Sequence, residues 1–263
     1  MNDSFQFCGF LSVEAQDHFT RNIRREASAW FHLAEESSLA LTKLAHAAMD
    51  QVQTSSMEPR AIGVRVLLRC VGHLQGSILL VERGMTAESR TLIRCMLEGA
   101  FTLAALLREP TEVVKILRDD AEKSRRMQAK YIRSQGLINA GTAMDKLEEL
   151  IKKSDRPEFM SPKDMSSKGV LSAWYLKYQR FSDDSAHLTA RSLNRHVKKS
   201  GHCWQYRWEP GSTEENSATL YEAVNIAIAI GLGASELIGD TSVVAELSKL
   251  AELCGEMPDV QVI

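Results

Sequence analysis

The chain has 263 residues, of which 44% are hydrophobic and 25% charged, with 15 glycines and 6 prolines. That length is ample for a large apolar core, and the sparse glycine and proline favour helices over an all-β chain. The formal net charge of -2 excludes a uniformly basic nucleic-acid-binding surface and leaves room only for a local one.

The cysteines and the apolar segments predict where the protein resides. Five cysteines occur without a C-x-x-C pair, which is typical neither of a disulfide framework nor of a zinc site. The N-terminus lacks the basic and apolar regions of a secretory signal, and the longest apolar stretch, residues 223–238, is shorter than the roughly 20 residues of a membrane span. We therefore expect reduced thiols, a cytoplasmic location and no contact with a membrane.

Helical spacing of apolar residues predicts long helices in the first half of the chain. The spacing holds over residues 15–53, as one helix or as two joined near residues 36–38. A second helix follows Pro59 and ends near Gly84, and a third begins at Thr86 and ends at Pro110. A fourth, with a densely charged outer face, continues to about residue 133.

The second half of the chain is more interrupted. Residues 136–169 contain a short helix and several serines and prolines, which indicates an insertion. A helical region with a break near residues 182–185 follows, and then the aromatic alternation from Cys203 to Trp208 gives the one serious strand candidate. Two further helices end the chain, the first over about residues 217–238.

These elements predict an all-α fold, a multi-helix bundle with at most a short β or extended segment near Cys203 to Trp208. We expect an N-terminal helical region over residues 1–58 and a bundle domain over residues 59–263, with the insertion at about 136–169. The two parts are expected to form one compact unit.

Three charged residues of the third predicted helix share one stripe. Arg90, Arg94 and Glu98 follow one another at intervals of four and border its apolar arc, so that partial burial is expected. One interpretation is an ordinary surface ion pair between Arg94 and Glu98. The other is an anion-binding or interface cluster, and the spacing leaves both open.

A second candidate pair lies further along the chain. Arg180 and His187 enclose six residues, which on a continuous helix would place both on nearly one face about 10 Å apart. A histidine can move the proton of an RNA 2′-hydroxyl, and an arginine can stabilise the charge that builds on the phosphate, without a metal. Arg25 and His32 have the same spacing, so the spacing is equally compatible with a structural histidine.

The sequence lacks the motifs of several common enzyme classes and metal sites. The chain contains no phosphate-binding G-x-x-x-x-G-K-[ST] loop, H-E-x-x-H zinc motif or G-x-S-x-G nucleophile motif. The paired Glu-x-x-His spacing of a di-iron bundle is also missing. We therefore expect neither a cofactor nor a metal.

Taken with the order of the helices, these two segments resemble DUF5677, a bacterial all-helical family of unknown function. The resemblance covers about residues 60–187 and rests on two motifs. They are R-x-x-x-R-x-x-x-E at Arg90, Arg94 and Glu98, and Y-x-x-x-S with a later histidine at Tyr178, Ser182 and His187.

That family is similar to the HEPN helical bundles, many of which are dimeric ribonucleases of toxin–antitoxin and phage-defence systems with an R-x4-6-H motif. The resemblance implies that Arg180 and His187 are catalytic in a metal-independent endoribonuclease that forms a homodimer and cleaves RNA. A cognate antitoxin or a defence partner is also implied. The implied binding residues are Arg90, Arg94, Glu98, Tyr178, Ser182 and Asp183.

Two alternatives remain open. In the first, the protein is a non-catalytic helical module that binds a partner protein or a small anion, and two observations favour it: the acidic net charge, and Phe181 at a position that is usually polar in active HEPN nucleases. In the second, the arginine stripe only fixes helix packing, and Trp204, Tyr206 and Trp208 form the recognition surface.

Overall fold

The computed structural model describes residues 9–11, 13–138, 141–152 and 161–257, and confirms an all-α bundle with one two-stranded hairpin. The helices are α1 Val13–Glu26, α2 Ser28–Gln51, α3 Pro59–Val81, α4 Thr86–Arg108, α5 Pro110–Ser134, α6 Thr142–Lys152, α7 Pro162–Lys168, α8 Tyr175–Phe181, α9 Ala190–Asn194, α10 Thr213–Ile238 and α11 Val244–Glu256. The strands are β1 Val197–Ser200 and β2 Cys203–Tyr206, and a π-helix, Ser182–Ala186, continues α8.

The core lies among α2, α3, α4 and α10, which pack against one another. Helix α10 contributes apolar side chains from successive turns, among them Leu220, Val224, Ala227 and Ile230, each inaccessible to solvent. Helix α4 is covered by α3 and α10 and also by α7, α8 and the π-helix. Because so many elements cover α4, even a charged side chain near its start becomes buried.

The N-terminal helices differ from the sequence prediction in the position of their break. The helix is interrupted at Ala27, between α1 and α2, so the predicted junction near residues 36–38 is wrong. Ser37 and Ser38 lie inside α2 and are buried, and the Ser38 hydroxyl accepts a hydrogen bond from Gln75 of α3 at 3.3 Å. Packing against α3 thus keeps the helix continuous through two serines that favour turns in isolation.

The predicted insertion is only partly separate from the core. Helix α5 buries few of its side chains, and α6 packs against it. Helix α7, however, packs on α4 through Met165, which is 2% exposed and belongs to the core. Residues 153–160 of this segment lie outside the described part of the chain.

The break predicted near residues 182–185 is a π-helix followed by an extended residue. The His187 N–H donates to the Ser182 carbonyl at 3.0 Å, a bond to the fifth preceding residue, and His187 then adopts an extended conformation. A capping box at Thr189 starts the short α9. The helical path from α8 therefore ends at Ala186, so the continuous helix assumed between Arg180 and His187 is not formed.

The hairpin confirms the strand candidate and adds its partner. In the antiparallel pair, Val197 lies opposite Tyr206 and Lys199 lies opposite Trp204. Strand β1 leaves no signal in the sequence, because Lys198, Lys199 and Ser200 show no apolar alternation.

Two helices, α3 and α10, are long and apolar enough to cross a membrane by length and composition. In α10, 67% of the most apolar window is buried inside the bundle, and in α3 the share is 44%. Core helices of soluble proteins pass the same test, so these two helices are weak evidence for a membrane span.

A tight turn between α3 and α4 anchors the segment that follows the hairpin. Gly84 adopts a left-handed conformation with φ +76°, and its carbonyl accepts a hydrogen bond from the Gly211 N–H at 2.9 Å. Pro210 lies against the same glycine, where an added Cβ would come within 2.5 Å of the proline Cβ. The turn therefore requires glycine for its backbone and for the close approach of Pro210.

Replacing Gly84 should test both requirements at once. We expect Gly84→Ala to lower the free energy of unfolding by more than Gly239→Ala, measured by urea titration. Gly239 also has a left-handed backbone, φ +82°, but an added Cβ would meet nothing within 4 Å. Gly239→Ala should therefore cost only the backbone strain, about 1–2 kcal/mol, whereas overpacking against Pro210 should add about 1–3 kcal/mol in Gly84→Ala. Equal losses of unfolding free energy in Gly84→Ala and Gly239→Ala would show that Pro210 can shift without an energetic penalty.

Candidate functional site

Arg90 is the most deeply buried cation among the described residues. It lies near the start of α4 and is only 3% exposed. Its Nη1 donates to Asp184 Oδ2 at 2.7 Å, and its Nε donates to Thr219 Oγ1 at 3.1 Å. Its Nη2 is buried and has no hydrogen-bond partner. A charged guanidinium is thus held between the π-helix and α10 with one donor unused.

Arg90 also lines a small pocket between α4, α8, the π-helix, α9 and α10, which we call the Arg90 pocket. Its lining residues are Arg90, Lys177, Arg180, Phe181, Asp184, Arg191, Ala218, Thr219 and Glu222. Its cavity volume is about 20 Å³, which is room for one water molecule or one ligand oxygen atom.

The charges of the Arg90 pocket do not cancel. Four lining residues are cations and two are carboxylates. Lys177 pairs with the buried Glu222 at 2.7 Å, and the Arg191 Nε lies 3.8 Å from Asp184. Arg180 is exposed and has no ion-pair partner within the described ranges. The excess of two positive charges, together with the free Nη2 of Arg90, suits an anionic ligand.

Arg94, one turn further along α4, has a different environment. Its Nε donates to Ser182 Oγ at 2.8 Å, and its Nη2 donates to the Tyr178 hydroxyl at 2.6 Å. The Tyr178 hydroxyl donates to Glu98 at 3.2 Å, and the Arg94 guanidinium also lies 4.7 Å from the centre of the Tyr178 ring. Four of the residues predicted from the sequence to bind a ligand, Arg94, Glu98, Tyr178 and Ser182, therefore bind one another.

This cluster joins α8 and the π-helix to α4. Burial raises the pKa of the Tyr178 phenol, which keeps its proton available as a donor to Glu98. Ser182 completes the network by donating to the Tyr178 carbonyl at 2.9 Å. The cluster thus holds the helix that carries Lys177 and Arg180 against the helix that carries Arg90.

The two residues predicted to be catalytic have different surroundings. Arg180 lines the Arg90 pocket, whereas His187 does not, and its side chain is exposed. The His187 carbonyl accepts from Ser192 Oγ at 2.9 Å, which fixes its backbone. Asp183, also predicted to bind a ligand, is exposed, and its carbonyl accepts a hydrogen bond from Thr189 at 2.5 Å.

Several residues of the Arg90 pocket were missed by the sequence analysis. Lys177, Arg191 and Thr219 carry no signal in their local sequence. A clue was available for Glu222, which is the one acidic residue between residues 216 and 235, in a strongly apolar helix.

The described residues form neither a candidate metal site nor a disulfide bond. Among the residues that the structure describes, no group of three His, Cys, Asp or Glu side chains is placed to hold a metal ion. Cys70, Cys95, Cys203 and Cys254 are free thiols, and burial raises the pKa of Cys70 to about 12.

Removing the carboxylate partner of Arg90 should destabilise the protein. In Asp184→Ala the buried guanidinium would lose its short ion pair, which in comparable sites costs about 3–5 kcal/mol. The neighbouring Asp183 is exposed and forms no side-chain ion pair with any residue that the structure describes, so Asp183→Ala should change the free energy of unfolding by less than about 0.5 kcal/mol. Urea unfolding of both variants measures the difference, and a loss below about 1 kcal/mol in Asp184→Ala would contradict the importance of this pair.

Comparison with known proteins yields one match. The family model described as "Family of unknown function (DUF5677)" matches residues 60–202. No curated protein and no solved structure matches. The matched region runs from the start of α3 into the hairpin and contains Arg90, the Arg94 cluster and the α8 side of the Arg90 pocket. It spans more than half of the 263 residues, and the chain therefore belongs to the DUF5677 family.

Proposed function

We propose that this protein is a helical module that binds a small anion of the phosphate type in the Arg90 pocket. The observation that carries the proposal is the unpartnered Nη2 of Arg90, a residue that lines a pocket with two more cations than carboxylates. A buried donor without a partner costs about 1–3 kcal/mol, and more when it is charged. A ligand oxygen in the cavity would offset that cost.

The size of the cavity indicates which part of the ligand enters. A space of about 20 Å³ accepts one oxygen atom, so the other oxygens of a phosphate group would remain at the mouth. Arg180 and Arg191 line the same pocket and are exposed. Guanidinium groups bind phosphate oxygens through paired hydrogen bonds, which makes three arginines around one anion a favourable arrangement.

Phosphate binding can be measured directly. We expect inorganic phosphate to raise the melting temperature of the wild-type protein through mass action, and calorimetry to give its Kd. Arg180→Ala should weaken binding about tenfold or more, since a hydrogen bond to a charged group contributes about 1.5–3 kcal/mol.

A matched control is available on α5. Arg133 is exposed and has no ion-pair partner in the described part of the chain. It does not line the Arg90 pocket, so Arg133→Ala removes the same charge from a different part of the protein. It should leave phosphate binding unchanged. If Arg180→Ala and Arg133→Ala weakened phosphate binding equally, phosphate would be held by general charge attraction, and a site at Arg90 would be refuted.

A second function is a metal-independent endoribonuclease with Arg180 and His187 as its catalytic pair. It is supported by one observation: Arg180 has no partner among the described residues and lines a cationic pocket, while His187 follows the same π-helix and is solvent-accessible. In this proposal the protein is a cytoplasmic, HEPN-related homodimer of a toxin–antitoxin or phage-defence system, in which two copies of the segment face each other. A cognate antitoxin would then bind the chain.

The ribonuclease proposal predicts a large effect of His187. His187→Ala should lower RNA cleavage in EDTA about 10²- to 10⁴-fold, the usual contribution of a positioned acid or base. Arg180→Ala should also reduce cleavage, because it removes charge stabilisation of the transition state. Arg25 and His32 have the same spacing and are both exposed, so Arg25→Ala and His32→Ala serve as controls and should retain activity. Wild-type protein without cleavage, or His187→Ala with full cleavage, would refute the nuclease.

A further inference from the structure

The hairpin is strongly basic although the protein as a whole is acidic. Residues 195–207 contain four basic residues, Arg195, Lys198, Lys199 and Arg207, and no Asp or Glu, whereas the whole chain has a net charge of -2. Lys198 and Lys199 are exposed and form no ion pair with any described residue. Their charges are therefore available to a partner.

Two large aromatic rings lie on one face of this hairpin. Trp204 is 69% exposed and Tyr206 is 93% exposed. They are two positions apart on β2, so their side chains point to the same face, with Cα atoms about 6.7 Å apart. Lys199 lies directly opposite Trp204 in the antiparallel register and shares that face. This face therefore carries two solvent-exposed aromatic rings on β2 and the Lys199 cation on β1.

The base of the hairpin is anchored while this face remains free. Arg207 donates from its backbone to His196 at 2.9 Å and from its side chain to the Arg195 carbonyl at 2.8 Å. Beyond it, the Trp208 ring packs edge-on against Phe10, with ring centres 5.9 Å apart. An isolated two-stranded hairpin is at best marginally stable, so these contacts explain how the exposed face keeps its shape.

We propose that the face formed by Trp204, Tyr206 and Lys199 binds single-stranded nucleic acid. Aromatic rings that are open on one side stack with unpaired bases of any identity, and neighbouring cations hold the phosphates. The charge of the hairpin is complementary to a polyanion. This surface is distinct from the Arg90 pocket, and the proposal does not depend on anion binding there.

Other occupants fit less well. A lipid surface would be expected to meet aliphatic side chains, but Val197 is the only aliphatic residue between residues 197 and 206, and it is not fully exposed. A symmetrical pairing of two hairpins would bring together the two exposed lysines of each copy, Lys198 and Lys199, which form no ion pair with any described residue. Duplex nucleic acid offers no exposed base faces to the rings, so single strands should be preferred.

Fluorescence anisotropy with the full chain tests the proposal. The probes are labelled oligouridine and oligothymidine of about twelve nucleotides, a duplex of the same length, and anionic lipid vesicles. Stacking is worth about 1–3 kcal/mol per base, so Trp204→Ala and Tyr206→Ala should each weaken single-strand binding roughly 5- to 150-fold. The conservative changes Trp204→Phe and Tyr206→Phe should retain most of the affinity, which separates loss of stacking from loss of the hairpin.

The matched control for the rings is Tyr131→Ala, because Tyr131 is 63% exposed on α5, and it should bind like wild type. Lys199→Gln should lower the slope of log K against log salt by about 0.7, since each single-strand phosphate contact contributes about that amount. Lys146→Gln with Lys249→Gln, both exposed lysines on other helices, should leave that slope unchanged. The proposal is overturned if the wild type binds no single strand at about 50 mM salt, or if the two alanine variants bind normally. Preference for duplex or for vesicles would also overturn it.

Discussion

The buried charge of Arg90 is the constraint on which the arrangement of the second half of the chain depends. A guanidinium that is 3% exposed must find its partners inside the protein, because an unpaired buried charge would cost several kcal/mol. Asp184 supplies one partner from the π-helix and Thr219 another from α10. One side chain therefore ties three elements together. The polar segment after α8 is held on the bundle through this contact and through the Arg94 cluster.

The two arginines of the same stripe show how burial can separate structure from ligand binding. Arg94 is bonded through its Nε and Nη2 to Ser182 and Tyr178, and Glu98 completes its network. Arg90 has one donor left over, and this residue lines the pocket that Arg180 also lines. The satisfied cluster positions α8, whereas Arg90 keeps a donor atom without a partner.

Charge is distributed unevenly along the chain, and this links the two proposed binding surfaces. Residues 177–207 contain seven Lys or Arg and two Asp, so the remainder of this acidic protein is more strongly negative. Within the segment, α9 leads from Arg191 of the Arg90 pocket to the start of the hairpin. Helices α2, α3, α4 and α10 form the scaffold beneath it. A polyanion would be attracted to this part of the surface.

Helix content, most helix bounds, the strand candidate at Cys203 and the buried character of α10 follow from the sequence by itself, because apolar periodicity and turn residues act over a few positions. Arg90 and Arg94 could also be singled out from the sequence, because their spacing of four residues places them on one face of a helix. The sequence does not predict the break at Ala27, the pairing of Lys199 with Trp204 or the partners of Arg90. Asp184 is 94 residues from Arg90, and Thr219 is 129 residues away. Which of the two arginines keeps a free donor depends on how α8, the π-helix and α10 meet around α4, and only the tertiary structure decides it.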